Sequence, residues 1–256
     1  MDYYEAIILG IIQGIAEWLP ISSEAMVTLA GRFLLGAGYQ ESLGAAIWLH
    51  SGTALSALVY FRNDVITILK SIMSNERKLL LFLLAATLAT SLSALPLLLL
   101  AFTLELPDWL FTFAIGAFLV IVALLQRKRP DSETEHELAL QKAAITGVVQ
   151  GFAILPGFSR SGLTTAALLY QDYSLKEALR LSFLMSIPVT IGIQVFLPFV
   201  SGDFHLSPEL VVGSLAAAAI GLITISALME LASRFNFFKA TLGLGLLVIL
   251  LALAML

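Results

Sequence analysis

A short polar segment with an arginine between two serines interrupts the apolar stretch 143–170. It comprises residues 156–162, PGFSRSG. Ser159 or Ser161 is suited to cap the helix that follows, which would leave backbone N–H groups and the positive helix end beside Arg160. Together these groups form a phosphate cradle. The alternative is that Arg160 only pairs with a carboxylate, because a cation at membrane depth needs an anionic partner.

A second polar segment, near the N-terminus, is acidic. Gln13 and Glu17 are four residues apart and share one helix face. Carboxylate and amide oxygens suit a hard cation such as Mg²⁺ or Ca²⁺, which bridges to phosphate oxygens. Proton transfer, or pairing with the arginine of the other segment, would also explain this carboxylate. Glu24 follows in the first turn of the next short helix with Ser22 or Ser23 as its cap, and dipole compensation explains Glu24 as well as function does.

His50 lies in the middle of a predicted apolar crossing. A neutral histidine that is hydrogen-bonded inside a helix bundle explains it without a catalytic role. Binding to a substrate is the alternative.

The composition identifies the class of protein that carries these groups. Of 256 residues, 59% are apolar and 12% are charged, whereas a soluble domain carries about 25% charged residues. The formal net charge is −4 without a basic tail, which argues against a nucleic-acid partner. The absence of cysteine excludes disulfides and thiolate metal sites. Asp2 and Glu5 flank the first apolar run, so no signal peptide is expected.

The apolar runs predict an all-α polytopic membrane protein with six transmembrane helices and two re-entrant helix–loop–helix hairpins. The hairpins are the broken regions 3–35 and 143–170, whose halves are too short to span a bilayer. The six crossings are predicted at 43–61, 79–102, 109–125, 178–200, 210–231 and 238–256.

The two hairpins resemble each other. Residues 10–20, GIIQGIAEWLP, match 147–156, GVVQGFAILP, with one residue deleted. The register then aligns Ser23 with Ser159, Glu24 with Arg160 and Thr28 with Thr164. An internal duplication follows, with one repeat at about 1–126, the other at about 138–256, and a cytoplasmic linker at 127–137.

The number of crossings between the hairpins sets the topology. Three crossings put the second hairpin on the opposite face, which predicts an inverted-topology repeat. Connections 103–108 and 201–209 contain no Lys or Arg. The positive-inside rule therefore puts both termini outside the cytoplasm. The residues that carry this bias are Arg62, Lys70, Arg77, Lys78, Arg127, Lys128, Arg129, Lys142, Arg234 and Lys239.

The polar breaks resemble the two signatures of the undecaprenyl-diphosphate phosphatase family, also called bacitracin-resistance proteins. Residues 13–23 match its (Glu/Gln)-x-x-x-Glu-x-x-x-x-Ser-Ser pattern, and residues 156–164 match Pro-Gly-x-Ser-Arg-Ser-x-x-Thr. The resemblance implies a membrane phosphoanhydride hydrolase that depends on Mg²⁺ or Ca²⁺. Such an enzyme converts a C55 polyprenyl diphosphate to the monophosphate and recycles the lipid carrier for cell-envelope glycan synthesis.

The resemblance also implies residue roles. Glu17 is the acidic catalytic residue, Gln13 is its partner at the metal, Ser23 is the first-motif serine, and Arg160 is the diphosphate clamp. Either Ser23 or a water activated by Glu17 is the nucleophile. The remaining residues that we expect at the substrate are Ser22, Ser159, Ser161, Thr164 and His50.

One position departs from the family pattern. Bacterial members usually continue Ser-Ser-Thr-Gly-His, but this chain has Met26 at the histidine position. The histidine's role passes to Glu24 or His50, or the mechanism never required it, or activity is lost. The competing functions are a polyprenyl-phosphate flippase or transporter and a non-catalytic binder. The expected partners are a polyprenyl diphosphate and membrane lipids, and a homodimer is possible.

Overall fold

The computed structural model describes residues 1–103, 107–127, 137–155, 157–201, 207–232 and 236–255. Within these ranges the chain forms eleven α-helices and one 3-10 turn, without a strand. The helices are α1 (Tyr3–Ala16), α2 (Ser23–Leu34), α3 (Tyr39–Tyr60), α4 (Arg62–Ser71), α5 (Lys78–Thr103), α6 (Asp108–Leu125), α7 (Leu140–Gly151), α8 (Arg160–Tyr170), α9 (Leu175–Ser201), α10 (Pro208–Leu231) and α11 (Phe237–Leu253); the 3-10 turn is Phe152–Ile154.

Several predictions of the sequence analysis fall outside the described residues. They concern Pro156 in the second motif, most of the linker 127–137, and the basic residues Lys128, Arg129 and Arg234.

Among the residues that the structure describes, five helices are long and apolar enough to cross a membrane, which confirms a polytopic membrane protein. The candidate spans are Glu41–Tyr60, Lys78–Leu98, Asp108–Leu125, Leu175–Phe196 and Pro208–Leu231. The sixth predicted crossing, 238–256, corresponds to α11, which has only 17 residues. At 1.5 Å per residue, α11 rises about 25 Å, slightly less than a hydrocarbon core of about 30 Å.

Both regions predicted to be broken contain two helices with an interruption between them. The first interruption follows α1, and Ser22 adopts the left-handed backbone region with φ 57°, which costs a non-glycine residue about 1 kcal/mol or more. In the second interruption Gly157 has φ 99°. A Cβ added at Gly157 would lie 2.6 Å from Ile115 Cα, so only glycine fits. Re-entrant insertion of both regions stays a prediction.

The short helix α4 was not predicted. The sequence analysis treated residues 62–78 as a connection because they are polar and basic. In the structure, α3 ends at Tyr60 with Phe61 as its C-cap, and α4 begins at Arg62. Six of the ten residues of α4 are polar or charged, so local hydropathy did not reveal this helix.

The chain divides into two compact units. The first contains Met1–Leu19, Ser23–Ile66 and Phe183–Glu230. The second contains Pro20–Ser22, Thr67–Ser182 and Leu231–Leu256. Each unit therefore draws on segments from both predicted repeats.

In the first unit, the N-terminal copy of the duplicated block packs against α10. A Cβ added at Gly10 would overlap the Gly213 carbonyl oxygen, and one at Gly14 would lie 2.8 Å from the Gly221 amide nitrogen. Glycine is needed at both positions because the opposing atoms belong to the backbone.

In the second unit, the other copy of the block packs against α5. A Cβ at Gly147 would overlap the Ala86 carbonyl oxygen, and one at Gly151 would overlap the Ser93 hydroxyl. The helices α5 and α10 correspond to the second predicted crossing of each repeat. The two copies of the block therefore pack closely on equivalent predicted crossings, and the duplication itself stays a prediction.

Candidate active site

The C-terminal end of α1 carries the acidic part of the site. The helix begins with a capping box between Asp2 and Glu5 and ends at Ala16, with Glu17 as its C-cap. Gln13 and Glu17 face the same side, as predicted, and Gln13 Nε2 donates to Glu17 Oε2 at 2.8 Å. The Glu17 side chain is buried, with 5% of the residue exposed. A buried carboxylate needs hydrogen-bond donors, and Gln13 supplies one of them.

The interruption after α1 is held by an aromatic anchor. Trp18 is almost fully buried, and its Nε1 donates to the Gly221 carbonyl oxygen at 2.8 Å. Its ring packs edge-to-face on Phe183, with centroids 5.1 Å apart. These contacts hold the residue that follows Glu17, so they restrict the direction of the Glu17 side chain.

Helix α2 brings the first-motif serine to the same carboxylate. Ser23 is the first residue of α2, and its hydroxyl donates to Glu17 Oε2 at 2.6 Å. The charge-assisted bond is short because the acceptor is a carboxylate. Ser23 therefore has its hydroxyl proton directed at the base candidate that the sequence analysis named.

His50 of α3 completes this cluster. Its Nδ1 lies 2.6 Å from the Ala46 carbonyl oxygen, so Nδ1 carries a proton. Its Nε2 lies 3.3 Å from Glu17 Oε2 and 3.5 Å from the Ser23 hydroxyl. The histidine that the sequence left open between a packing and a binding role thus lies beside the two motif residues.

Glu24 and Met26 lie on the helix that carries Ser23. Glu24 interacts electrostatically with His50 and Glu17. The side chain of Met26 is partly buried, and its thioether cannot exchange a proton. Among groups near the Glu17 carboxylate, the imidazole of His50 is the one that resembles the missing motif histidine in chemistry.

The first cluster offers part of a metal donor set. Gln13 is fully buried, and its Oε1 has no hydrogen-bond partner within the described part of the chain. An unsatisfied buried amide oxygen next to a carboxylate fits a hard divalent cation. The described part of the chain contains no group of three His, Cys, Asp or Glu side chains that could hold a metal ion. Gln13 and Glu17 would therefore need further oxygens, such as those of a substrate phosphate.

The second motif forms the beginning of α8 in the other unit. Ser159 is the N-cap, and its hydroxyl accepts from the Gly162 amide at 3.2 Å. The Ser161 hydroxyl lies 3.2 Å from that of Ser159. The predicted cap is thus Ser159, and Arg160 is the first helical residue, where the helix dipole is positive.

Thr164 supports this turn from within the helix. Its hydroxyl donates to the Arg160 carbonyl oxygen at 2.7 Å and lies 2.5 Å from the hydroxyl of Ser182 in α9. Thr164 and Ser182 are both fully buried. The sequence analysis did not assign a role to Ser182, because the only local signal is a serine within an apolar crossing.

The two duplicated glutamines have different environments. Gln150 Nε2 donates to the Thr90 hydroxyl at 3.0 Å, and Thr90 donates to the Gly147 carbonyl oxygen at 3.0 Å. Gln150 thus joins α7 to α5, whereas Gln13 bonds to a catalytic candidate. These contacts give Gln150 a role in the packing of α7 on α5.

The structure assembles the predicted site residues as two clusters, one in each unit. The first unit contains Gln13, Glu17, Ser23, Glu24 and His50, and the second contains Ser22, Ser159, Arg160, Ser161 and Thr164.

Comparisons with known proteins cover nearly the whole chain. The family described as Bacitracin resistance protein BacA matches residues 6–247. An undecaprenyl-diphosphatase of Methanococcoides burtonii is 40% identical over 257 residues, covering 96% of this chain and 97% of that protein. A second undecaprenyl-diphosphatase, from Haloarcula marismortui, is 40% identical, and the match covers 91% of this chain and 90% of that protein. A third, from Methanothrix thermoacetophila, is 34% identical and covers 95% of each.

Proposed function

Because the chain belongs to the bacitracin resistance protein BacA family, we propose that it is a membrane enzyme that dephosphorylates undecaprenyl diphosphate. Hydrolysis of the phosphoanhydride releases phosphate and returns the monophosphate carrier to cell-envelope glycan synthesis. The observation that carries the proposal is that the match over residues 6–247 includes both polar motifs. Relatives with the same enzymatic name align with this chain along nearly their whole length.

Glu17 acts as the base in this proposal, and Ser23 is the group that it activates. The short bond from the Ser23 hydroxyl to Glu17 Oε2, 2.6 Å, supports this pairing. Transfer of that proton to Glu17 would let the serine oxygen attack the terminal phosphorus, which breaks the phosphoanhydride bond and releases undecaprenyl phosphate. Water would then hydrolyse the phosphoserine and release inorganic phosphate. His50, 3.3 Å from the same oxygen, is the second proton carrier.

Arg160 and the N-terminus of α8 neutralise the negative charge on the terminal phosphate. Charge spreads over the oxygens of a transferring phosphoryl group, so catalysis depends on fixed positive groups nearby. The Ser159 cap and the bond from Thr164 to the Arg160 carbonyl support this role, because both order the first turn. The family match includes both motifs, which supports a role for each of them in the same reaction.

A divalent cation, Mg²⁺ or Ca²⁺, is part of the proposal. Gln13 and Glu17 would hold it, and the partnerless Gln13 Oε1 supports this assignment within the described ranges. The cation would supply charge neutralisation to the diphosphate oxygens.

Phosphate release from undecaprenyl diphosphate by detergent-purified protein tests the function. We expect release by the wild type, loss after chelation, and recovery when Mg²⁺ or Ca²⁺ is added. Glu17→Gln and Arg160→Ala should each abolish release while thermal unfolding stays near that of the wild type. Glu41→Gln and Arg77→Ala remove exposed charges and serve as matched controls with normal activity. Full activity in Glu17→Gln or Arg160→Ala would reject the corresponding role.

The methionine at position 26 favours the alternative functions, because bacterial members of the family usually have a histidine at this position. A flippase or transporter would move the lipid between leaflets without releasing phosphate. A non-catalytic binder would gain thermal stability with undecaprenyl phosphate but show no turnover. Absence of phosphate release by folded wild-type protein under all metal conditions would favour one of these functions over the enzyme.

A further inference from the structure

A chain of hydroxyl groups connects α9 to the turn that carries Arg160. Thr164 has one hydroxyl proton, and the Arg160 carbonyl oxygen, 2.7 Å away, can only accept. The proton of Thr164 is therefore directed to that carbonyl. The hydroxyl of Ser182, 2.5 Å from Thr164 Oγ1, must then be the donor of the second bond. The bonds run from Ser182 to Thr164 to Arg160.

Ser182 bonds to a neighbouring helix, whereas the next buried serine of α9 bonds within its own helix. Ser186 lies four residues further along and donates to the Phe183 carbonyl oxygen of its own helix at 2.6 Å. Both serines are at least 98% buried. Ser182 alone of this pair bonds to another helix, which makes Ser186 a matched control for the loss of a buried hydroxyl.

From this geometry we infer that Ser182 is a positioning residue for the Arg160 turn and acts through Thr164. The inference rests on the proposed role of Arg160. Helix α8 has eleven residues, and its first amides have no partner within the helix. The orientation of that turn determines where Arg160 and these amides point. The bond from Ser182 fixes Thr164, and Thr164 fixes the carbonyl of the residue that carries the guanidinium.

Steady-state phosphate release by Ser182→Ala and Ser186→Ala tests the inference. We expect Ser182→Ala to lower kcat/KM about tenfold, the effect of one lost hydrogen bond at a site of charge stabilisation. Inhibition by inorganic phosphate should weaken by a similar factor. Ser186→Ala should stay within about twofold of wild type in both measurements, and the two variants should lose thermal stability equally. Equal kinetic effects of the two substitutions would overturn the inference.

A double-mutant cycle separates a role through Thr164 from a general packing effect. In a Thr164→Val background, Ser182→Ala should cause no further loss, since the bond is already broken. Additive losses would contradict the inference. If Ser182→Ala fails to fold, Thr164→Val still tests the chain from the α8 side, and wild-type phosphate inhibition in it would contradict the inference.

Arg160→Ala in the same series separates a failure of the Ser182 positioning role from a failure of the proposed role of Arg160. If Arg160→Ala is inactive but Ser182→Ala behaves like Ser186→Ala, only the positioning role of Ser182 fails. If Arg160→Ala retains full activity, the proposed function of Arg160 itself fails, whatever Ser182→Ala does.

Discussion

At the scale of single residues, one carboxylate oxygen is the centre of the first cluster. Glu17 Oε2 accepts from Gln13 at 2.8 Å and from Ser23 at 2.6 Å, and His50 Nε2 lies 3.3 Å away. Two hydrogen bonds stabilise the charge of this buried carboxylate and hold its orientation. Function therefore depends on the balance among these neighbours, and small substitutions around Glu17 should have kinetic effects.

Gln13 should control the metal requirement. In Gln13→Leu the amide oxygen is lost, so we expect the concentration of Mg²⁺ or Ca²⁺ for half-maximal phosphate release to rise about tenfold or more. In Gln13→Glu a second carboxylate replaces the amide, and the family pattern accepts Glu at this position, so the half-maximal concentration should fall. Titration of metal-depleted enzyme with Mg²⁺ or Ca²⁺ measures the half-maximal concentration for each variant. An unchanged requirement in Gln13→Leu would remove this residue from the metal site.

His50 should replace the missing motif histidine. We expect His50→Ala to lower kcat about 100-fold, the lower range for loss of an acid–base group. Met26→His in that background should restore part of the rate, whereas Met26→His alone should stay within about threefold of wild type. The rates of all three variants come from the phosphate-release assay at saturating metal. A His50→Ala enzyme with normal kcat would assign His50 a packing role instead.

At the scale of elements, close helix contacts at glycine set the position of each polar break. The first break follows a helix packed on α10 through Gly10 and Gly14, and the second follows a helix packed on α5 through Gly147 and Gly151. These contacts leave no room for a side chain, so the depth and rotation of each helix are closely defined.

Gly147→Ala should therefore destabilise the protein. The added Cβ would overlap the Ala86 carbonyl oxygen, a backbone atom that cannot move without shifting α5. Overpacking of this kind costs about 1–3 kcal/mol, which corresponds to a decrease in Tm of about 3–10 °C. Thermal unfolding in detergent measures the change.

Gly192→Ala is the matched control, since an added Cβ there meets no atom within 4 Å. Alanine favours a helix over glycine by up to about 1 kcal/mol, so its Tm should stay equal or rise slightly. Equal losses of stability in the two variants would contradict the close contact at Gly147.

At the scale of the whole molecule, the inverted repeat predicts which parts of the chain face each side of the membrane. The chain contains no cysteine, so single cysteines can be labelled without background. Tyr4 and Met73 are 80% and 94% exposed. Positive-inside bias predicts an external N-terminus and a cytoplasmic connection at residue 73.

Labelling with a membrane-impermeant maleimide tests this topology. Tyr4→Cys should react in right-side-out vesicles, and Met73→Cys should react only in inside-out vesicles. Both variants should react fully in detergent, which controls for accessibility. Reaction of both cysteines from the same side would contradict the predicted arrangement.

Features that depend on composition and on neighbours within one helix could be predicted from the amino-acid sequence alone. The low content of charged residues and the long apolar runs predicted a membrane protein, because such a chain cannot cover its surface with polar groups. The spacing of Gln13 and Glu17 determined that they share a face. Ser159 as one of two possible caps, and the polar breaks themselves, could also be derived locally.

Which helices meet at these groups could be seen only in the folded protein. His50 is 33 positions from Glu17 along the chain, and its contact depends on the rotation of α3 relative to α1. The bonds between Ser182 and Thr164, and between Gln150 and Thr90, likewise join different helices. Periodicity defines the faces of one helix, but the packing of side chains and glycines across helices selects which faces come together.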